Sequence, residues 1–174
     1  MTIMPIRTLG DPVLRVTCRP VEEFDEALAR LADDLFETMY DAPGVGLAAN
    51  QLGLQVACFV FDDREGSSGF VANPVLSERS GEQTELEGCL SIPGPYAETA
   101  RSMSVRLQGL DLRGGPLDIR AEGLLARIFQ HETDHLDGAL YIDRLEDEGR
   151  RAVLAELRRI ELGLASPRER SAGD

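Results

Sequence analysis

The sequence predicts an α+β fold, with antiparallel sheets packed around a central helix and a second helix near the C-terminus. Three observations predict it. Strand-like runs are grouped together, not alternated one by one with helices, which argues against βαβ units. Three segments carry apolar residues at helical spacing. One of them ends in the row His131-Glu132-Thr133-Asp134-His135, whose polar residues belong inside the fold only if they do chemistry.

Taken in order, Phe24 to Asp41 places Leu28, Leu31, Leu35 and Met39 on one face, with Asp25 as the cap and Pro43-Gly44 as the stop. After Gly44-Val45-Gly46-Leu47-Ala48-Ala49-Asn50-Gln51 come short runs from Gln55 to Phe61 and Gly69 to Ala72, rich in Val and Phe and closed by Asn73-Pro74. Val105 and Leu107 alternate with Arg106 and Gln108, Arg113-Gly114-Gly115-Pro116 turns the chain, and Leu117, Ile119 and Ala121 alternate again. That pattern is a hairpin. Gly123 to Leu136 is helical and stopped by Gly138. Leu145 to Leu162 puts Val153, Leu157 and Ile160 on one stripe before Gly163.

At 174 residues and 43% hydrophobic, residues 1–174 read as one domain that buries about two-thirds of its unfolded surface without staples, with residues 166–174 as a disordered tail. A metal in such a chain is catalytic before it is structural. The formal charge of −13 excludes DNA and broad nucleic-acid binding, because a polyanion is repelled at long range. No stretch approaches the roughly 18 apolar residues of a membrane span, and no signal peptide is apparent, so the expected compartment is the cytoplasm. Three cysteines are an odd number for a disulfide framework and leave a thiolate free for other work.

On a helix, His131 and His135 stand one turn apart and can reach one divalent ion, with Glu132 beside it to take a proton from water. Leu124 and Ile128 continue the same stripe, so the imidazoles end an apolar row. A catalytic zinc-type site needs a third protein ligand, yet the chain has two histidines in all. Zinc proteases with the extended H-E-x-x-H-x-x-G-x-x-H pattern are excluded, since the last position is Tyr141. The third ligand is then a carboxylate or a thiolate. The carboxylates from Glu146 to Glu161 lie on an exposed-looking stripe. Cys89, in Glu87-Gly88-Cys89-Leu90-Ser91, is the better candidate, because Gly88 permits close approach of the backbone. Cys18 and Cys58 read as ordinary buried thiols.

Taken together, Gly44-Val45-Gly46-Leu47-Ala48-Ala49-Asn50-Gln51, Glu87-Gly88-Cys89-Leu90-Ser91 and Gln130-His131-Glu132-Thr133-Asp134-His135 resemble the three signature motifs of the peptide deformylases, in the family order. These enzymes remove the formyl group from the initiator methionine of new bacterial proteins. The resemblance implies that Cys89, His131 and His135 hold one divalent metal ion, ferrous iron by family expectation, with zinc or nickel as substitutes. It implies that Glu132 deprotonates the attacking water and passes the proton to the leaving amine. The side-chain amide of Gln51 and the backbone N–H of Leu90 would hold the oxyanion. Gly46, Gly88 and the residues around Leu90 would bind the peptide backbone like an added strand, and Val45, Leu124 and Ile128 would line the methionine pocket.

Two positions depart from the family pattern. Arg127 stands where many relatives have an apolar pocket residue, and is expected to lend its stem to the pocket with its guanidinium in solvent or on Glu85, or else to be a surface arginine. Tyr96 stands where some relatives have an arginine. Glu87 and Arg101 are expected to pair and brace the Cys89 loop. The expected partners are formyl-methionyl nascent peptides and the ribosome surface. Arg150, Arg151, Arg158 and Arg159 would supply a basic face there unless the interspersed glutamates pair with them. Deacylation of another N-acyl amine or peptide, and catalytically silent peptide binding, are the competing readings.

Overall fold

The computed structural model describes residues 2–166. Apart from Ser166, the tail expected to be disordered lies outside the described residues.

Helix α1 (Glu26–Asp41) begins where expected, with the Asp25 carboxylate accepting the N–H groups of Ala27 and Leu28. Its apolar face buries Leu28, Ala32, Leu35 and Met39. A five-stranded antiparallel sheet follows, with strands β1 (Gly46–Ala48), β2 (Cys58–Asp62), β3 (Ser68–Ser80), β6 (Ser104–Leu110) and β7 (Pro116–Glu122) in the spatial order β1-β2-β3-β6-β7. β6 and β7 are the hairpin expected from their alternation, in unbroken register from Ser104↔Glu122 to Leu110↔Pro116.

β3 runs on through Asn73-Pro74, where the sequence predicts a stop. A bulge absorbs the proline, which has no N–H to give the ladder, between the Ala72↔Leu110 and Val75↔Gln108 pairs. Asn73 takes a left-handed φ of 51° there, and its side-chain amide exchanges hydrogen bonds with the backbone N–H and C=O of Val21. The side chain thus replaces a turn and ties the N-terminal segment to the sheet.

The second sheet is a two-stranded ribbon of β4 (Gln83–Cys89) and β5 (Ile92–Arg101), joined by a tight turn through Leu90 and Ser91. Its strands are not evident in the sequence, because Thr84, Glu85 and Leu86 are all exposed and the period-two signal vanishes. Helix α2 (Gly123–Leu136) carries the two histidines. Ala126, Ile128, Phe129 and Leu136 of α2 pack into one core with Phe59 and Phe61 of β2. The ring of Phe129 meets that of Phe61 edge to face at 4.9 Å. Helix α3 (Asp147–Glu161) closes the fold by burying Val153 and Leu157 against Ile92, Leu140, Tyr141 and Ile142. The α+β class, the antiparallel sheets and the C-terminal helix agree with the sequence reading. No helix among the described residues is long and apolar enough to cross a membrane.

Candidate active site

Three atoms from two separate elements converge. Cys89 ends β4, and its Sγ lies 3.2 Å from Nε2 of His135, which lies 3.2 Å from Nε2 of His131. All three ligand atoms fall within 4.8 Å of one another. Three electron-rich atoms gathered this closely call for a cation among them. A tetrahedral ion with bonds of about 2.0–2.3 Å would space its donors about 3.3–3.5 Å apart, close to what is seen. One thiolate and two imidazoles suit iron, nickel or zinc chemically.

The two imidazoles are held differently. His131 is 11% exposed, turns Nδ1 to the Glu87 carboxylate at 2.6 Å and lies against the ring of Tyr141. This carboxylate–histidine pair leaves Nε2 facing Cys89 and His135. His135 is fully buried, and its Nδ1 has no hydrogen-bond partner. Burial lowers the basicity of both rings. In His131 the Cys89 thiol and the Glu87 carboxylate outweigh it and raise the pKa, whereas in His135 the neighbouring His131 adds to it. Glu87 is itself buried, which opposes ionisation, yet His131 and Arg101 hold it well below the usual carboxylate range.

Glu132 is 3% exposed, and its Oε2 is buried without a partner. Burial pushes its carboxyl up to about 7, where a group can both take and give a proton near neutrality. A Cβ at Gly46 would collide with this carboxylate, so the glycine makes room for it. Gln51 lies in the turn after β1 and is 1% exposed. Its Oε1 accepts the Ala48 N–H at 2.9 Å. That fixes the amide so that Nε2 points at Ser91 Oγ, 3.1 Å away, and at Cys89 Sγ, 3.7 Å away.

Leu90 occupies the ribbon turn, with its side chain against Gly44. Gly88 is required by Tyr96, whose ring a Cβ there would strike at 2.5 Å. Ile128 is 3% exposed within the core onto which Val45 packs, whereas Leu124 is 42% exposed. Cys18 and Cys58 are buried, their thiols pushed up to about 11 and about 12 by desolvation, as inert cysteines should be.

A family model of the polypeptide deformylases matches residues 3–151. The chain is 50% identical over 163 residues to "Peptide deformylase 1" of Corynebacterium efficiens, covering 91% of this chain and 96% of that one. It superposes on a peptide deformylase from Legionella pneumophila with a TM-score of 0.89 at 40% identity, covering 96% and 100% of the two chains. The peptide deformylase of Thermus thermophilus gives a TM-score of 0.85 at 45% identity, covering 94% and 100%. The chain belongs to the peptide deformylase family.

Within that family frame, one feature of this chain differs from what the sequence suggests and another extends it. Arg127 is not a surface residue, and its guanidinium reaches neither solvent nor Glu85. It is 6% exposed, and its Nη1 donates to Glu87 at 2.7 Å, with Glu85 left in solvent. The register of β4 decides this, because Gln83 and Glu87 are buried while the residues between them are exposed. The expected pair of Glu87 with Arg101 is present, two-pronged at 2.5 and 3.1 Å, but Arg101 also reaches Asp134 at 2.5 Å, and Asp134 in turn binds Arg144. Two further polar residues escaped sequence reasoning. Asn50 is fully buried and donates to the backbone carbonyl of His135 at 2.5 Å, and Asp134 ties α2 to Arg101 and Arg144. Both lie inside the motif blocks, and that was their only signal.

Proposed function

We propose that this deformylase-family chain uses Cys89, His131 and His135 to hold one divalent ion and Glu132 to move protons in the hydrolysis of N-formyl-methionyl peptides. The observation that carries the reading is the convergence of three ligand atoms, two of them from the helix that buries Glu132 with its Oε2 unpartnered. Ferrous iron is the ion the family resemblance favours, with zinc or nickel able to replace it. When bound, the ion supplies Lewis acidity, polarising the formyl oxygen and easing deprotonation of water.

The remaining steps belong to the chain. Glu132 takes a proton on its carboxylate from the attacking water and gives it to the peptide nitrogen as the C–N bond breaks, so that formate and a free amine leave. The Nε2–H of Gln51, anchored through Ala48, and the backbone N–H of Leu90 stabilise the negative oxygen. β1 is an edge strand of its sheet, which suits Gly46 to pair with a peptide backbone from one side while Gly88 meets it from the ribbon. Main-chain pairing accepts any sequence downstream. Leu124 and Val45 line the methionine pocket, and Ile128, being buried, backs it.

The chain acts as one domain, since α2 packs on the large sheet and its histidines meet the ribbon. Among the α3 arginines, Arg151 pairs with Asp147, Arg158 with Glu161 and Arg150 with Asp143. This supports local pairing ahead of a face reserved for the ribosome. Formate release from formyl-Met-Ala by anaerobically purified protein, beside Glu132→Ala, tests the mechanism. Loss of at least about 10²-fold in kcat with metal retained is the expected result. Full activity in the metal-loaded variant would refute it.

A further inference from the structure

The ribbon that supplies Cys89 and the helix that supplies the histidines share no strand pairing, because β4 and β5 pair only with each other. The metal ligands can converge only if something else sets the distance between these two bodies. Four buried polar side chains lie at the junction. Gln130 of α2 exchanges hydrogen bonds with the Ser102 backbone, and Gln83 of β4 donates to the carbonyls of Ser102 and Gly123. Arg101 of β5 bridges Glu87 and Asp134.

The fourth is Arg127. It starts on α2, one turn before His131, and reaches across to the ribbon. There Nη1 donates to Glu87 Oε2 at 2.7 Å and to the Thr99 carbonyl of β5 at 3.0 Å, while Nη2 faces the Gln83 carbonyl of β4 at 3.4 Å. One planar guanidinium thus touches both strands of the ribbon and the carboxylate that orients His131.

The Glu87 carboxylate is filled from every side. Oε1 takes Arg101 Nη2 at 2.5 Å and His131 Nδ1 at 2.6 Å, and Oε2 takes Arg101 Nε at 3.1 Å and Arg127 Nη1 at 2.7 Å. With Arg127 removed, Oε2 keeps only the 3.1 Å bond from Arg101 Nε, and the carboxylate loses the guanidinium that ties it to α2 one turn before His131.

We propose that Arg127 is a positioning residue for the metal centre, holding Glu87 against His131 and the ribbon against α2 so that Cys89 and the two histidines keep their spacing. The inference rests on the reading of those three residues as metal ligands. Arg127→Met keeps the apolar stem and removes the fork, and Arg127→Lys keeps the charge but cannot hold Glu87, Thr99 and Gln83 together.

The test is zinc affinity by chelator competition and the electronic spectrum of the cobalt(II)-loaded protein, measured with the melting temperature of the metal-free form. Zinc binding about 10- to 100-fold weaker in Arg127→Met, with shifted cobalt bands, is expected, alongside a lower metal-free melting temperature from the loss of a buried partner of Glu87. Arg127→Lys should bind zinc more weakly than wild type and more tightly than Arg127→Met. Wild-type affinity and an unchanged spectrum in Arg127→Met would overturn the role, even if that variant melted lower, because the arginine would then be structural only. If Arg127→Met does not fold, wild-type affinity and spectrum in Arg127→Lys would overturn it equally. A wild-type protein that bound neither zinc nor cobalt would instead refute the ligand assignment on which the inference stands.

Discussion

Gly46→Ala is a small change with a large expected effect. A Cβ at Gly46 would lie 2.8 Å from Cδ and 3.0 Å from Cγ of Glu132. Ordinary carbon–carbon contact is about 3.5–4.0 Å and Oε1 of Glu132 lies closer still, so one group must yield by at least about 0.7 Å. The Gly46 backbone is fixed by its pairing with Phe61, and the free carboxylate end of Glu132 moves more cheaply. A misplacement on the order of 1 Å in a reacting group costs about 10²-fold, which sets the expected fall in kcat. None of the three ligand side chains is touched, so the metal content should stay at wild-type level. The cost to folding should be about 1 kcal/mol, or about 2–4 °C in melting temperature for a chain of this size. Steady-state deformylation gives kcat and KM separately, and a lost backbone contact to the peptide would appear in KM. If Gly46 acts through Glu132, Gly46→Ala combined with Glu132→Gln should be little slower than Glu132→Gln alone. A single variant with wild-type kcat, or a double variant showing fully additive losses, would refute the argument.

Arg101→Ala should leave Glu87 and Asp134 buried with too little compensating charge. That costs about 3–5 kcal/mol, and the melting temperature should fall by about 10 °C with weaker zinc binding. An unchanged melting temperature and zinc affinity would remove Arg101 from the site's support. Asp143→Asn probes a carboxylate that burial tends to raise but that Arg15, the Leu140 N–H and Arg150 hold below its ordinary 3.8. Because its folded pKa is depressed, its contribution is complete above pH about 4 and is lost as pH falls through the folded value. Asp143→Asn should therefore be about 1 kcal/mol less stable than wild type at neutral pH. Urea denaturation from pH 6 downwards should show that gap closing in acid, and a constant gap would refute the linkage.

Much of the fold was legible because its signals are local. The carboxylate of Asp25 caps α1 through Ala27 and Leu28, and the β6–β7 alternation reports a sheet with one wet face. The β4–β5 ribbon was illegible for the opposite reason. Apart from Ile92 at its start, it buries too little on either face to imprint alternation, and along its length the buried residues include the polar Gln83, Thr99 and Arg101. Asn73-Pro74 misleads in the same way. The dipeptide signals a turn, but a side-chain amide bonded to Val21, 52 residues away, lets the strand bulge and continue.

The site divides along the same line. His131 and His135 could be grouped by spacing, their count left a zinc-type site one protein ligand short, and the Gly88 context favoured Cys89 over the carboxylates. Which charged residues would be buried behind them could not be read that way. All 18 basic residues are arginine, and nothing in composition separates Arg127 from Arg120 one strand earlier, which lies on the surface and binds Glu78. What separates them is register. Glu87 falls on the inner face of β4, and α2 presents Arg127 to that face one turn before His131. Arg127 shares its face of α2 with Gln130, His131 and Asp134, and the buried acid across from it is the one bonded to His131. Under the role proposed for Arg127, this position bears on how His131 is held through Glu87.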